Sequence, residues 1–324
     1  MSTNAIFTST PPITRRVRAY FAPVNRAAAQ PTIFDPSLSG DFDLDAPPSP
    51  WIDLGWIENF TRKTASKITP LNLGSPGMAQ VQVRDVVGAT VACRFKTWGK
   101  LSMALAAASE HMNLIIPAAN GTANGSGSKG LAAVSLQSGS TATFLAMTPT
   151  DAATFAPGAL VAIDEDYTGQ TGFVGSGVSA AYVQSSASVN NDPDYLRRVT
   201  FNVARVASVS SSGLQLSQPL IAGAPAAGMK VQTLAGFVDR EGGSFFQEWS
   251  ALFVMPGEQG ERICFHYPRL QAMAGPQEMV EKLLLPVERV ALDAAFRALP
   301  VTDLNDGQQV VCFRSFLPAA AMPA

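Results

Sequence analysis

Residues 83–107 read VRDVVGATVACRFKTWGKLSMALAA, and their hydrophobic period changes halfway along. Val91, Cys93 and Phe95 alternate with Ala92, Arg94 and Lys96, the period-2 pattern of a strand with one face in a core and the other in water. From Trp98 the spacing becomes helical: Leu101, Leu105, Ala108 and Met112 form one stripe, and Pro117 closes the unit. Strand patterns dominate the rest of the chain, so this junction predicts a mainly β (α+β) fold with one flanking helix.

Upstream, residues 51–67 pattern as a strand, as do residues 81–98. Residues 1–50 differ: Arg15, Arg16 and Arg18 are followed by Asp41, Asp43 and Asp45 and then by Pro47, Pro48 and Pro50. Such a composition cannot build a core alone. Tyr20, Phe21, Ile33, Phe34 and Phe42 are spaced like anchors, which predicts an extended arm docked on its own subunit or a neighbour.

Downstream, Lys129 is the only Asp, Glu, Lys or Arg between His111 and Thr150, and AANGTANGSGSKG reads as a flexible connector. A domain boundary falls there. Residues 145–233 read as an inserted small β-barrel, with strands at 159–163, 198–209, 214–220 and 229–234 and a charge-free loop at 167–191. The first domain resumes over 234–324, so that 51–144 and 234–324 form one unit around the insertion. Within it, Met279, Val280, Leu283 and Leu284 suggest a short helix over 276–285. Residues 290–298 suit strand or helix, and the Asn305-Asp306-Gly307 turn with a strand at 308–316 favours a hairpin.

The 324 residues are 47% hydrophobic and 15% charged, which excludes disorder as the main theme. A net charge of −2 argues against a binder that works by neutralising phosphates. Cys93, Cys264 and Cys312 are odd in number and set in apolar runs, so a disulfide framework is not expected. The amino terminus has its arginines after its apolar residues, the wrong order for a signal peptide, and no membrane span is expected.

Catalytic chemistry finds little footing. His111 and His266 are the only histidines, and Cys264 with His266 lacks the further ligands of a zinc site and the spatial partner of a Cys/His nucleophile. Gly125 and Gly130 have phosphate-loop spacing, but Leu131 stands where the motif needs lysine. Asp164, Glu165 and Asp166 lack the alternation of a calcium loop and read as a solvated turn. Gly175-Ser176-Gly177 has no strand before it to make a nucleophile elbow, and the sequons at Asn59, Asn120 and Asn124 carry little weight without a secretory signal. The expectation is no enzyme, with no catalytic, cofactor-binding or metal residues.

Three stretches carry a resemblance. PWIDLGWIENFTRKTASKI (50–68), the 83–107 segment above and VALDAAFRALPVTDLNDGQQVVCFRSF (290–316) together resemble the tail tube (major tail) proteins of bacteriophages. The likeness covers about residues 51–117 and 236–320, through an order of elements rather than a diagnostic motif. It implies a β-sandwich or barrel with one helix, self-assembly into hexameric rings that stack as a tube, contacts with other tail proteins, and DNA passing the lumen without specific binding. It also implies a virion tail protein made in the host cytoplasm and no membrane partner. The 145–233 module departs from the minimal pattern and is similar to extra domains on the outside of some tubes.

Further expectations follow for an assembled form. Carboxylates among Asp53, Glu58 and Asp293 would face the lumen, long strands would find edge partners on neighbours, and the arm would bury Phe21, Phe34 and Phe42 on an adjacent subunit. For Trp51, Trp56, Trp98 and Trp249, core packing is favoured over interface. The alternative is a virion-surface, receptor- or carbohydrate-binding module built on the insertion, for which Tyr167, Phe173, Tyr182 and Tyr195 supply the aromatics.

Overall fold

The computed structural model describes residues 16–24, 30–48, 50–119, 130–166, 174–175, 202–240, 248–258, 260–273, 277–284 and 287–318. In chain order the first elements are β1 (Val17–Pro23), β2 (Ile52–Leu73), β3 (Met78–Phe95), α1 (Lys100–Ala107) and β4 (Glu110–Ile115). Then come β5 (Val134–Ser135), β6 (Phe144–Ala146), α2 (Pro149–Ala152), β7 (Leu160–Asp164), β8 (Val203–Ser210), β9 (Gly213–Leu216) and β10 (Lys230–Arg240). The last are β11 (Trp249–Pro256), β12 (Arg262–Ala272), β13 (Gln277–Leu284), β14 (Val287–Ala298), β15 (Val301–Thr302), β16 (Gln309–Val310) and β17 (Phe313–Leu317). The fold is mainly β, and its paired strands are antiparallel.

The larger sheet runs β13-β14-β3-β2-β1-β11-β12-β17, and a further pairing of β14 with β12 closes its six middle strands into a barrel. Closure satisfies the strand edges that an open sandwich would leave free. Side chains alternate inward as the sequence pattern requires: Ala89, Val91, Cys93 and Phe95 on β3 meet Leu292, Ala294, Phe296 and Ala298 on β14 in one buried cluster. Thus the strand reading of 290–298 holds. Ala104, Leu105 and Ala106 of α1 join the same core.

β1 lies at the centre of this wall, paired with β2 on one side and β11 on the other. It is buried on both faces, Ala19 and Phe21 inward and Tyr20 and Ala22 outward, which is why it shows no hydrophobic/polar alternation. Phe21, with no exposed surface, meets Phe253 edge-on at 5.8 Å and Phe296 at 5.6 Å. The expectation of an arm that buries Phe21, Phe34 and Phe42 on a neighbour is therefore corrected: all three are buried within this subunit. The outer face of β1, β11 and β12 is roofed by Phe34, Phe42 and Trp51.

Two local expectations change. The helix ends at Ala107 because Ala108 takes a left-handed conformation (φ 51°), and β4 then pairs with β10, carrying Met112 off the expected helical stripe. Residues 276–285 do not form a helix; residues 277–284 are strand β13, because pairing with β14 outweighs a weak local preference. The ladder runs from Gln277 opposite Asp293 to Leu284 opposite Val287, with one slip between Lys282 and Leu284.

The second sheet, β4-β10-β7-β8-β9-β6 with β5 beside β10, wraps its own core of Leu145, Val161, Ile163, Val206, Leu214 and Val231 among others. Gln137 N donates to Ala146 O, drawing the β5 and β6 ends of the sheet together. β10 runs unbroken through residues 233 and 234, where a domain boundary was expected: Val231 lies in this core while Val238 packs against the barrel core. Residues 120–129 of the Gly-rich connector and 167–173 and 176–191 of the charge-free loop lie outside the described residues.

Ile115 and Leu234 are direct partners on the β4–β10 ladder, so the module enters and leaves at one point. Replacing residues 116–233 with an Asn-Gly turn, and Ile115 and Leu234 with threonine, should leave the barrel folded. The expected result is a single cooperative thermal transition by circular dichroism; an unfolded product would show that the barrel depends on the module.

Candidate assembly surface

Beyond Ala65 and Gly88 the strands β2 and β3 pair, among the described residues, only with each other, out to Leu73 opposite Met78. This two-stranded ribbon, residues 66–73 in β2, projects about 26 Å at strand rise. A lone ribbon is marginally stable in water. Yet its end is apolar: Leu71 faces Val81 and Leu73 faces Met78 across the ladder, on one face, with 52%, 56%, 58% and 63% of their surfaces exposed. The turn Gly74-Ser75-Pro76-Gly77 closes the tip, with Gly74 at φ 97°.

The β13–β14 hairpin projects too. Phe95 pairs with Leu292 and Ala89 with Ala298, so residues 287–291 of β14 run past the Phe95 end of β3, while the β2–β3 ribbon runs past the Ala89 end. The two ribbons leave opposite ends of one sheet. Val280 and Val290 are direct partners in the second ribbon, and both are exposed. β13 is also the last strand of the sheet order, with one backbone edge unpaired in it.

Bulges shape the other end of β2, away from the first ribbon. Gly55 (φ 74°) and Asn59 (φ 52°) sit where the β1–β2 and β2–β3 registers slip. Near them is a cleft of about 310 Å³ lined by Arg16, Leu54, Gly55, Trp56, Lys96 and Thr97. Arg16 and Arg18 lie over the Trp56 ring at 5.6 and 5.5 Å.

The three carboxylates expected to face a lumen are each engaged by a cation. Asp53 accepts two hydrogen bonds from Arg18, Asp293 accepts two from Arg94, and Glu58 is 3.0 Å from Lys96. Their charge is locally balanced, and hydrogen bonding to Asp53 pushes the Arg18 guanidinium pKa upward despite its partial burial. Of the tryptophans, Trp51 and Trp249 are buried and Trp56 is half-buried, whereas Trp98 is exposed and lies against Phe237.

Cys264 and His266 share the outer face of β12, both buried under the segment from residue 30 to Trp51. Burial pushes the Cys264 thiol up to about 11, which keeps it protonated and poorly nucleophilic. His266 Nδ1 is 3.3 Å from Ala251 O, and Nε2 accepts from Phe34 N at 3.3 Å. These contacts use both ring nitrogens in structural bonds. Burial likewise lowers the Lys100 ammonium to about 7, and its Nζ donates to Asn113 Oδ1, tying α1 to β4. Among the described residues no group of three His, Cys, Asp or Glu is placed to hold a metal ion. Asp164, expected in a solvated turn, is instead buried at the end of β7, where its Oδ1 accepts Glu165 N–H. Tyr167, Phe173, Tyr182 and Tyr195 lie outside the described residues.

Sequence reading missed the ribbon tip because it ended the strands at Lys67 and Val81. The overlooked signal was the apolar recurrence at Leu71, Leu73, Met78 and Val81 on either side of a Gly-Ser-Pro-Gly turn.

No protein-family model matches the chain, and no curated protein is similar to it in sequence. Among the described residues no helix is long and apolar enough to cross a membrane.

Proposed function

We propose that this chain is a structural subunit that self-assembles head to tail, as the resemblance to phage tail tube proteins implies. Rings, hexameric in that family, stack into a conduit through which DNA passes without specific binding. Other tail proteins cap it, and it belongs to the virion tail. The observation that carries this reading is the apolar tip of the β2–β3 ribbon at one end of the sheet, with a second ribbon bearing the exposed Val280–Val290 pair at the opposite end. Contacts between unlike surfaces at opposite ends propagate along an axis instead of closing on themselves as a twofold dimer does.

Magnitudes support it. Burying the exposed half of Leu71, Leu73, Val81 and Met78 contributes about 1 kcal/mol each, or about 4 kcal/mol for the β2–β3 tip, before association costs. The unpaired edge of β13 supplies a place for strand addition, where backbone hydrogen bonds add affinity and set register. Barrel closure confines such edges to the outer strands and ribbons, so a continuous inner wall would be built from these and not from the barrel strands themselves. A net charge of −2, with the carboxylates near the barrel wall already paired, suits a surface that lets phosphates slide by.

Light scattering coupled to size-exclusion chromatography, with negative-stain imaging of the full chain, tests this. Rings or tubes are the expected result. A protein that stays monomeric at high concentration, with neither form in any image, would sink it.

A further inference from the structure

We propose that the segment from residue 30 to 48 is an acid-released strap, locked onto the barrel wall by the neutral imidazole of His266. The geometry comes first. The segment lies over the outer face of β1, β11 and β12, with Phe34 and Phe42 buried there. Its backbone is pinned at two neighbouring points: Thr32 N donates to Ser250 Oγ, and Phe34 N donates to His266 Nε2. Further along, Tyr20 O–H donates to Leu44 O, Arg262 donates to Phe42 O, and Arg18 pairs with Asp45.

The bond to His266 is conditional on protonation. Accepting from an amide requires a lone pair on Nε2, so the proton of the neutral ring is on Nδ1, pointing at Ala251 O. Protonating Nε2 would set an N–H against the N–H of Phe34, two donors face to face. The ring cannot turn away easily, because it stacks on Phe313 at 6.0 Å and lies against Trp51 and Phe34. A charged imidazolium with 1% exposure in this aromatic box also lacks water. Relief comes from moving the strap, which makes no sheet ladder over these residues beyond an isolated bridge at Gln30.

The neighbouring ionisable groups do not change this within the relevant range. On β12, Cys264 is held protonated by burial, Tyr267 is raised to about 12, and Arg262 donates to Phe42 O. From β1, Tyr20 is raised by burial. From β17 and the residue before it come Arg314 and Cys312, the latter a thiol also raised by burial. On the strap, Asp35 is lowered by its bonds from Ser37 and stays ionised. β11 presents Ala251 and Leu252.

Burial lowers His266 to about 4, against an ordinary value of 6.5 once released. The released strap therefore binds the proton more readily between those values. Docking is strongest above pH 6.5, weakens steadily as pH falls towards 4, and changes no further below it. Between pH 7.5 and pH 5 the opening constant rises about thirtyfold by this linkage.

Hydrogen exchange on the full chain tests it, with protection factors corrected for intrinsic rates. The expected result is a drop of about thirtyfold for Thr32, Phe34 and Leu38 amides from pH 7.5 to pH 5, with protection at both pH values lower than that of Phe253 and Leu292, whose exchange needs the barrel itself to open. His266→Gln, which keeps an acceptor but cannot titrate, should hold the strap with no pH response. Equal protection of the strap at both pH values would overturn the proposal. So would strap amides protected as strongly as those of the barrel, which would mean that the strap opens only with global unfolding, or a His266→Gln chain that responds to pH like the parent.

Discussion

A chain carrying Leu71→Ser, Leu73→Ser, Met78→Ser and Val81→Ser should stay monomeric under conditions that assemble the parent, while its barrel melts at nearly the same temperature. The four side chains already stand more than half in water, so the folded monomer loses little when they become polar. An interface would lose the transfer energy of all four. At about 1 kcal/mol each the contact weakens by about 4 kcal/mol, close to a thousandfold in its dissociation constant. In a stacked array every subunit makes the contact, so the loss recurs at each junction and tubes should disappear rather than shorten. Light scattering reads the oligomer and calorimetry the fold. Normal tubes from this variant would show that the ribbon tip is not the interface, and would move attention to the Val280–Val290 pair at the other end of the sheet.

The barrel wall was largely legible in the sequence, and the reason is physical. Val91, Cys93 and Phe95, like Leu292, Ala294 and Phe296, line one face of strands whose other face meets water, so their period-2 pattern survives. Where a strand is covered on both faces, that signal vanishes. β1 is the case in point: Arg-Ala-Tyr-Phe-Ala lies in a Pro- and Asp-rich region, and only the roof of Phe34, Phe42 and Trp51 explains why Tyr20 and Ala22 are apolar outside the barrel. β13 misled for the opposite reason, since its apolar residues also fit a helical face and the partner that decides the matter, β14, comes later in the chain. The two-residue strands β15 and β16 around the Asn305-Asp306-Gly307 turn were within reach of turn chemistry alone.

The assembly surface was less legible because exposure is not written in residue type. Leu71 and Leu73 look like core residues until the register shows β3 as their sole partner strand. His266 is a second instance. Beside Cys264 it suggested a ligand or a nucleophile, but its two ring nitrogens are engaged by backbone groups of residues 251 and 34, contacts that no local spacing announces.

Removal of residues 1–24 should abolish folding, not merely assembly. β1 contributes ladders to β2 and β11, and without it the wall opens between those strands, exposing Phe253 and Ala251, which now have no surface in water. The single substitution Phe21→Ala grades the same effect. Its ring is fully buried among Phe95, Phe253 and Phe296, three partners that cannot all close on a methyl group. Truncations of this kind cost about 3–5 kcal/mol, a large part of the 5–15 kcal/mol that a folded domain has in hand. Ile33→Ala is the matched control, since Ile33 is 55% exposed on the strap and should change stability by no more than about 0.5 kcal/mol. Urea unfolding followed by tryptophan fluorescence gives both numbers, because Trp249 and Trp51 report the inner core and its roof. Should the chain lacking residues 1–24 unfold cooperatively at the parent's urea midpoint, β1 would not be a stave of the barrel and the strap would have no wall to close over.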